Sequence, residues 1–251
     1  MRRDCEILAS QQIGEKTYAI TVRAGDIART ARPGQFVHVL CDAAGYLRRP
    51  ISICDAAGDQ LKIVFDAVGE GTRWLSQKKS GFLDLMGPLG NGYDLSGRNI
   101  LLVGGGIGAP PLLFAAKRAV GIVTGILGYR TQEQVILLNE FRACCQQVYL
   151  TTDDGSIGLK GLVTEPLARC LEAGGYDAVL ACGPKPMLRA VAERARTYGV
   201  PCQVSLEERM GCGIGACLVC ACKVKTADGE RYAHVCKDGP VFRGEEVDWD
   251  A

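Results

Sequence analysis

The chain has 251 residues, with 29 Lys and Arg against 28 Asp and Glu and a formal charge of +1. So even a balance argues against nucleic-acid binding, which a basic excess would mark. Hydrophobic residues at 47% and charged ones at 23% fit a globular chain with a sizeable core rather than a disordered one. The two histidines, His38 and His234, cannot supply an H-E-x-x-H zinc helix or a three-histidine zinc site. The opening Met-Arg-Arg-Asp-Cys-Glu puts acids where a signal peptide would begin its apolar run, so a cytoplasmic location is expected. In a reducing compartment 13 cysteines do not read as disulfides. Cys5, Cys41, Cys54, Cys144, Cys145, Cys170 and Cys202 read as small buried hydrophobes.

From Cys5 to about Met86 the chain offers short apolar runs broken by turn residues: Cys5–Ser10, Thr17–Val22, Gln35–Cys41, Ile51–Asp55 and Leu61–Ala67. Their spacing predicts a barrel or sandwich. Alternation in Phe36–Val39 and in Leu61–Phe65 predicts half-buried strands. Arg49-Pro50-Ile51-Ser52 sets a fixed cation, a stiff turn and a hydroxyl at a strand start. An arginine there can pair with a pyrophosphate and a serine can donate to a flavin ring nitrogen, although a plain surface arginine leaves the same trace. Glu70-Gly71-Thr72 opens a short helix whose free amides can hold a phosphate, unless Thr72 is only a cap. Together the two motifs say more than either alone.

From Arg98 to about Leu206 strands and helices alternate, which implies a doubly wound parallel sheet. The predicted strands are Ile100–Val103, Gly121–Leu127, Gln147–Thr151, Ala178–Ala181 and Pro201–Leu206. Helices are predicted over Pro110–Val120, Glu165–Ala173 and Pro186–Tyr198, the last with Met187, Val191, Ala195 and Tyr198 on one face. The uncharged run Asn99–Ala116 approaches the length of a membrane span, but its glycines and prolines predict a strand, a tight loop and a helix start instead. Gly104-Gly105-Gly106-Ile107-Gly108-Ala109 satisfies the relaxed G-x-G-x-x-G/A form in the strand-to-helix setting that a dinucleotide motif requires. Cys182-Gly183-Pro184-Lys185-Pro186-Met187 follows a later strand at the sheet edge where ligands of open α/β folds bind, or is a plain turn.

The final stretch contains Cys212, Cys217 and Cys220 in C-x4-C-x2-C spacing, then Cys236 after fifteen more residues. This is the plant-type ferredoxin pattern for a [2Fe–2S] cluster, and the glycines between suit a loop that aims backbone amides at sulfur. A zinc knot is the alternative, but zinc ribbons pair two C-x2-C units, and Cys217/Cys220 form one. Cys222 is a fifth candidate ligand, read instead as a buried thiol on the following strand.

On these motifs the first two regions resemble the ferredoxin–NADP reductase superfamily, through R-P-x-S, G-T, G-G-G-I-G and C-G-P-x-x-M. With a minimal cysteine module fused after the last strand, the whole chain resembles electron transfer subunits of NAD-dependent (type B) dihydroorotate dehydrogenase. The closing Cys236-Lys237-Asp238-Gly239-Pro240-Val241-Phe242 leans toward them. Small subunits of electron-bifurcating NADH-dependent ferredoxin–NADP oxidoreductases share the layout.

The resemblance implies an FAD-binding antiparallel β-barrel (1–97), a doubly wound NAD-binding α/β domain (98–206) and a small [2Fe–2S] module (207–251). Flavin contacts would fall on Arg49, Pro50, Ile51 and Ser52, on Val64, Phe65 and Asp66, and on Gly71 and Thr72. Asp66 departs from the basic or neutral residue expected there. NAD(H) would meet Gly104, Gly105, Gly106 and Gly108 with Cys182, Gly183, Pro184 and Met187, and the cluster ligands would be Cys212, Cys217, Cys220 and Cys236. No catalytic acid or base is implied. Electrons would pass between NAD(H), FAD and cluster, and dihydroorotate would react in an FMN-containing catalytic subunit, in a heterotetramer of two copies of each. Apolar Ile214, Leu218 and Val219 in the cysteine loop would help form that contact. The other readings are a stand-alone oxygenase reductase and, from a different class, a zinc-stabilised nucleotide-binding regulator.

Overall fold

The computed structural model describes residues 1–41, 47–226 and 229–250; positions 227, 228 and 251 of the expected C-terminal module lie outside it. Six antiparallel strands close a barrel: β1 (Arg2–Gln12), β2 (Thr17–Arg23), β3 (Phe36–Val39), β4 (Arg49–Ala57), β5 (Gln60–Asp66) and β6 (Phe82–Leu89), in the order β1-β2-β5-β4-β3-β6. Alternate residues fill it, among them Ile20, Val37, Val39, Ile53, Ile63, Phe65 and Leu85. Two short helices belong to this region, α1 (Asp26–Thr30) and α2 (Glu70–Ser76). Neither α1 nor β6 is evident in the sequence pattern, because β6 is interrupted by Asp84, Gly87 and Pro88.

The second region runs β7 (Asn99–Gly105), α3 (Ala109–Arg118), β8 (Ile122–Tyr129), α4 (Leu138–Cys144), β9 (Gln147–Thr152), β10 (Leu159–Lys160), α5 (Thr164–Ala173), β11 (Ala178–Cys182), α6 (Lys185–Thr197) and β12 (Cys202–Ser205). Then come a hairpin, β13 (Ala221–Thr226) with β14 (Gly229–His234), and a last strand β15 (Val241–Arg243). The sheet order is β10-β9-β8-β7-β11-β12-β15. From β9 to β12 it is the doubly wound arrangement, with its switch point between β7 and β11.

Several details differ from the sequence expectation. The strand β15 lies beyond residue 206 yet joins the sheet, antiparallel to β12, with Ser205 opposite Val241. The cysteine module thus adds a strand to the sheet and shares one core with the α/β domain: Cys220, Val224, Ala233, Val235 and Phe242 pack with Leu101, Val179 and Val204. On α6 the fully covered side chains are Leu188, Val191, Ala192 and Ala195, while Met187 and Tyr198 sit only half-buried at its ends. Finally, β3 is not half-buried. All four of its residues are covered, because Phe36 on the outer barrel face joins the core of the α/β domain and cysteine module while Val37 and Val39 face inward.

The barrel and sheet are tied by α3. Phe114 is fully buried in the barrel's apolar cluster, and Arg118 donates to the Ala56 carbonyl at 2.7 Å. The run Asn99–Ala116 is thus strand, loop and helix, and no helix among the described residues is long and apolar enough to cross a membrane. Of the scattered cysteines, Cys5, Cys41, Cys54, Cys170 and Cys202 are buried, whereas Cys144 and Cys145 are half-buried.

Candidate functional site

The structure brings the two barrel motifs into contact. Gly71 stands in the first turn of α2, and a Cβ there would lie 2.8 Å from Arg49 Nε, so the guanidinium rests on a surface only glycine leaves open. Thr72 closes the turn, its Oγ1 accepting from the amides of Val68 (3.0 Å) and Gly69 (3.1 Å). Ser52 lies on the outward face of β4, half-buried, and Pro50 beside it is exposed. Ile51 instead points into the barrel core, as does Phe65, which stacks on Tyr18 with centroids 6.1 Å apart. Side chains of Ile51 and Phe65 therefore serve packing, leaving only their backbone for a flavin. Val64 faces the α/β domain. The unexpected carboxylate of Asp66 is occupied locally: Thr17 donates to it at 2.6 Å and Lys16 pairs with it at 3.5 Å.

The two loops of the α/β domain meet at the switch point. Gly104 pairs with Cys182 across β7 and β11. A Cβ on Gly108 would collide with the Cys182 carbonyl, one on Gly105 would stand 2.5 Å from Met187 Sδ, and Gly106 takes a positive φ of 54°. The Cys182 thiol is fully buried, which pushes its pKa well up, so it stays protonated. These loops border a cleft of 670 Å³ that also takes in Asp66, Arg130, Asp153 and Glu207. Its open floor of glycine backbone suits a ligand that must approach closely. Glu207 has no sequence signal, since it reaches the cleft through topology alone, and neither has Tyr93, a buried residue behind it whose hydroxyl donates to the Ala181 carbonyl at 3.0 Å.

The cysteine loop aims amides at sulfur. Ile214 and Ala216 donate to Cys212 Sγ at 3.4 and 3.2 Å, Cys212 to Cys217 Sγ at 3.4 Å, Gly215 to Cys236 Sγ at 3.1 Å, and Cys236 to Cys220 Sγ at 3.4 Å. Each of the four thiols thus receives at least one N–H. Partial burial opposes ionisation of Cys212, but the amides of Ile214 and Ala216 prevail and lower its pKa to about 6. The thiols are arrayed around a loop of inward-aimed amides, and this donor set fits a thiolate-held iron–sulfur cluster. Cys222 lies on β13 as expected, opposite Ala233, but half-buried at the rim of the hairpin rather than buried; desolvation raises its thiol to about 11.

Gly213, with φ 74°, is the buried floor of this loop, and beneath it lies His38. A Cβ on Gly213 would be 2.7 Å from His38 Cε1 and 2.8 Å from Nδ1. His38 in turn pairs with Pro50 across β3 and β4, so one cross-strand step separates the R-P-x-S motif from the cysteine loop. Above the loop, Ile214, Leu218 and Val219 are 58%, 64% and 56% exposed, and Leu218 holds a left-handed φ of 61°.

Comparisons with known proteins agree with this geometry. A family model, the iron–sulfur cluster binding domain of dihydroorotate dehydrogenase B, matches residues 207–248. The chain is 46% identical over 260 residues to the dihydroorotate dehydrogenase B (NAD(+)) electron transfer subunit of Bacillus caldolyticus, covering 98% of each chain. It is 42% identical to the protein of the same name in Caldanaerobacter subterraneus subsp. tengcongensis, covering 96% of each. Among solved structures, one of NADH-dependent reduced ferredoxin–NADP oxidoreductase, a flavin-based electron bifurcation protein, superposes with a TM-score of 0.86 at 36% identity, over 98% of this chain and 90% of that one. A ferredoxin NADP+ reductase from Neisseria gonorrhoeae with bound FAD and NADP shares the fold, with a TM-score of 0.66 at 16% identity, over 79% of this chain and 92% of that one.

Proposed function

The chain belongs to the family of electron transfer subunits of NAD(+)-dependent dihydroorotate dehydrogenase B, and from that premise we propose that it carries electrons between NAD(H), FAD and a [2Fe–2S] cluster, to or from a separate subunit that oxidises dihydroorotate in pyrimidine biosynthesis. It is an oxidoreductase component whose organic substrate reacts in a catalytic partner. The reading is carried by one chain of contacts: Arg49 over Gly71, Pro50 across from His38, and His38 under Gly213.

In this reading residues 1–97 bind FAD, 98–206 bind NAD(H) and 207–251 hold the cluster. Arg49 binds the pyrophosphate, aided by the amides at Gly71 and Thr72, while Ser52 donates to the flavin ring and Pro50 stiffens the turn between them. The backbone of Ile51, Val64 and Phe65 and the edge at Asp66 border the flavin. Gly104, Gly105, Gly106 and Gly108 keep the cleft floor low for NAD(H), and Cys182, Gly183, Pro184 and Met187 form its second wall. Cys212, Cys217, Cys220 and Cys236 ligate iron, and the loop amides favour the more negative reduced form. Bound FAD supplies the exchange between two-electron hydride chemistry and single-electron transfer. The chain's own residues bind and orient; none is assigned a proton.

The partner in this proposal carries FMN, pairs two-by-two with this chain in the cytoplasm, and rests on the exposed Ile214, Leu218 and Val219. Co-expression with an FMN-containing dihydroorotate-oxidising subunit tests it. A complex should co-purify and reduce NAD with dihydroorotate, and Leu218→Glu should dissociate it without loss of FAD. Dihydroorotate oxidation by the isolated chain, or no complex at micromolar concentration, would replace this reading with a stand-alone reductase.

A further inference from the structure

His38 is an anomaly in a molecule whose other buried polar groups are mostly paired. It is fully buried, yet neither Nδ1 nor Nε2 has a hydrogen-bond partner among the described residues. A neutral imidazole carries one N–H donor, and leaving it orphaned in the interior costs stability unless something absent from the polypeptide receives it. The surrounding elements offer the ring no acceptor: β6 sets Met86 opposite His38. Phe36, on the same barrel face, offers a ring 5.6 Å away. Arg48 is committed to the carbonyls of His38 and Asp84 and to the Asp84 carboxylate. Pro50, across the strand, has no N–H, and Gly213 covers the ring from above.

The ring therefore faces the one loop whose amides converge on the four thiols. We propose that His38 is a positioning residue for the iron–sulfur group: its imidazole seats the Cys212–Cys217 loop on the barrel and donates its N–H to a sulfur of the bound cluster. It would be a side-chain donor supplied by the flavin-binding barrel, added to the backbone donors of the cysteine module itself. The barrel strand that neighbours R-P-x-S would then both shorten the path to the cluster and adjust the cluster's potential, since a donor to sulfur favours the reduced state. Gly213 is required by this arrangement, because any side chain there would occupy the ring's place. The inference rests on the cluster assignment made above.

The test is an EPR-monitored redox titration of the purified, cluster-loaded protein as wild type, His38→Phe and His38→Gln. Loss of the donor in His38→Phe should shift the reduction equilibrium about tenfold toward the oxidised form, which is about 59 mV for a one-electron couple. His38→Gln, which keeps an N–H in the same slot, should recover part of that shift. Pulsed EPR of reduced wild-type protein labelled with nitrogen-15 histidine should show a nitrogen coupling that His38→Gln abolishes and His234→Gln keeps. A His38→Phe potential equal to wild type overturns the proposal. If that variant does not retain its cluster, the labelled spectrum decides alone, and absence of a His38-dependent coupling overturns it. A wild-type protein with no [2Fe–2S] signal at all would instead overturn the cluster assignment beneath it.

Discussion

The guanidinium of Arg49 lies across the face of Gly71, with no room between them for a methyl group. Two motifs far apart in sequence are thereby one surface. Because the atoms that a Cβ would meet belong to the mobile end of Arg49, Gly71→Ala should leave the apoprotein's melting temperature nearly unchanged while displacing the guanidinium. Arg49→Ala should weaken FAD binding by about 1.5–3 kcal/mol, as for a hydrogen bond to a charged group, and Gly71→Ala by part of that. Fluorescence of FAD released on dialysis measures both. Full retention in Arg49→Ala would remove Arg49 from the pyrophosphate site.

Cys217→Ser should abolish the visible iron–sulfur absorption and leave FAD bound, since the thiol's contacts lie within the cysteine loop. Cys222→Ser should keep both chromophores. Iron content and the visible spectrum of freshly purified variants read the outcome, and two irons per chain in Cys217→Ser would refute the ligand set.

Gly108→Ala differs from Gly71→Ala in what the new methyl meets. Here the obstacle is the backbone carbonyl of Cys182, which cannot swing aside. The substitution should cost about 1–3 kcal/mol of stability through overpacking and should also reshape the cleft, raising the KM for NADH more than it lowers FAD content. An unchanged KM would show that the loop contact does not shape the nucleotide site.

His38 also predicts a pH dependence. Burial, with Arg48 nearby, lowers its pKa from the ordinary 6.5 to about 4. The unfolded chain binds a proton near pH 6.5 that the native chain binds only near 4, so this contribution is present above about 6.5 and lost as the pH falls through that window. Guanidinium unfolding of the cluster-free protein at pH 7 and pH 5 should show a steeper loss for wild type than for His38→Phe, by about 2 kcal/mol of the roughly 3 kcal/mol that the whole window holds. Parallel losses would mean that the imidazole is hydrated or already paired.

Much of this was readable from sequence because it depends on local chemistry. Cysteine spacing fixes the ligand candidates, and glycines mark the turns of β7 into α3 wherever the chain folds. The burial of His38 could not be read that way: its strand alternates like any half-buried one, and its cover arrives with Gly213, far along the chain. A strand carrying Cys222 is foreseen, but not the hairpin that pairs it with β14. Lys225, Glu230, Arg231 and Tyr232 are exposed on it, so its apolar signal is confined to few positions such as Val224 and Ala233. Ile51 and Phe65 illustrate the reverse case, motif neighbours whose side chains the barrel claims for its interior.

The pairing of Ser205 with Val241 has an architectural consequence. The polypeptide leaves the sheet at β12 and re-enters it at β15 on the adjacent position, so the whole cysteine segment is a loop spliced into a strand–strand connection. Its two ends are already neighbours, the arrangement in which an inserted unit can be gained or excised without re-threading the host. A short turn joining the two strands would close the α/β sheet, and what it would leave bare is the outer face of β3 at His38, whose ring Gly213 covers.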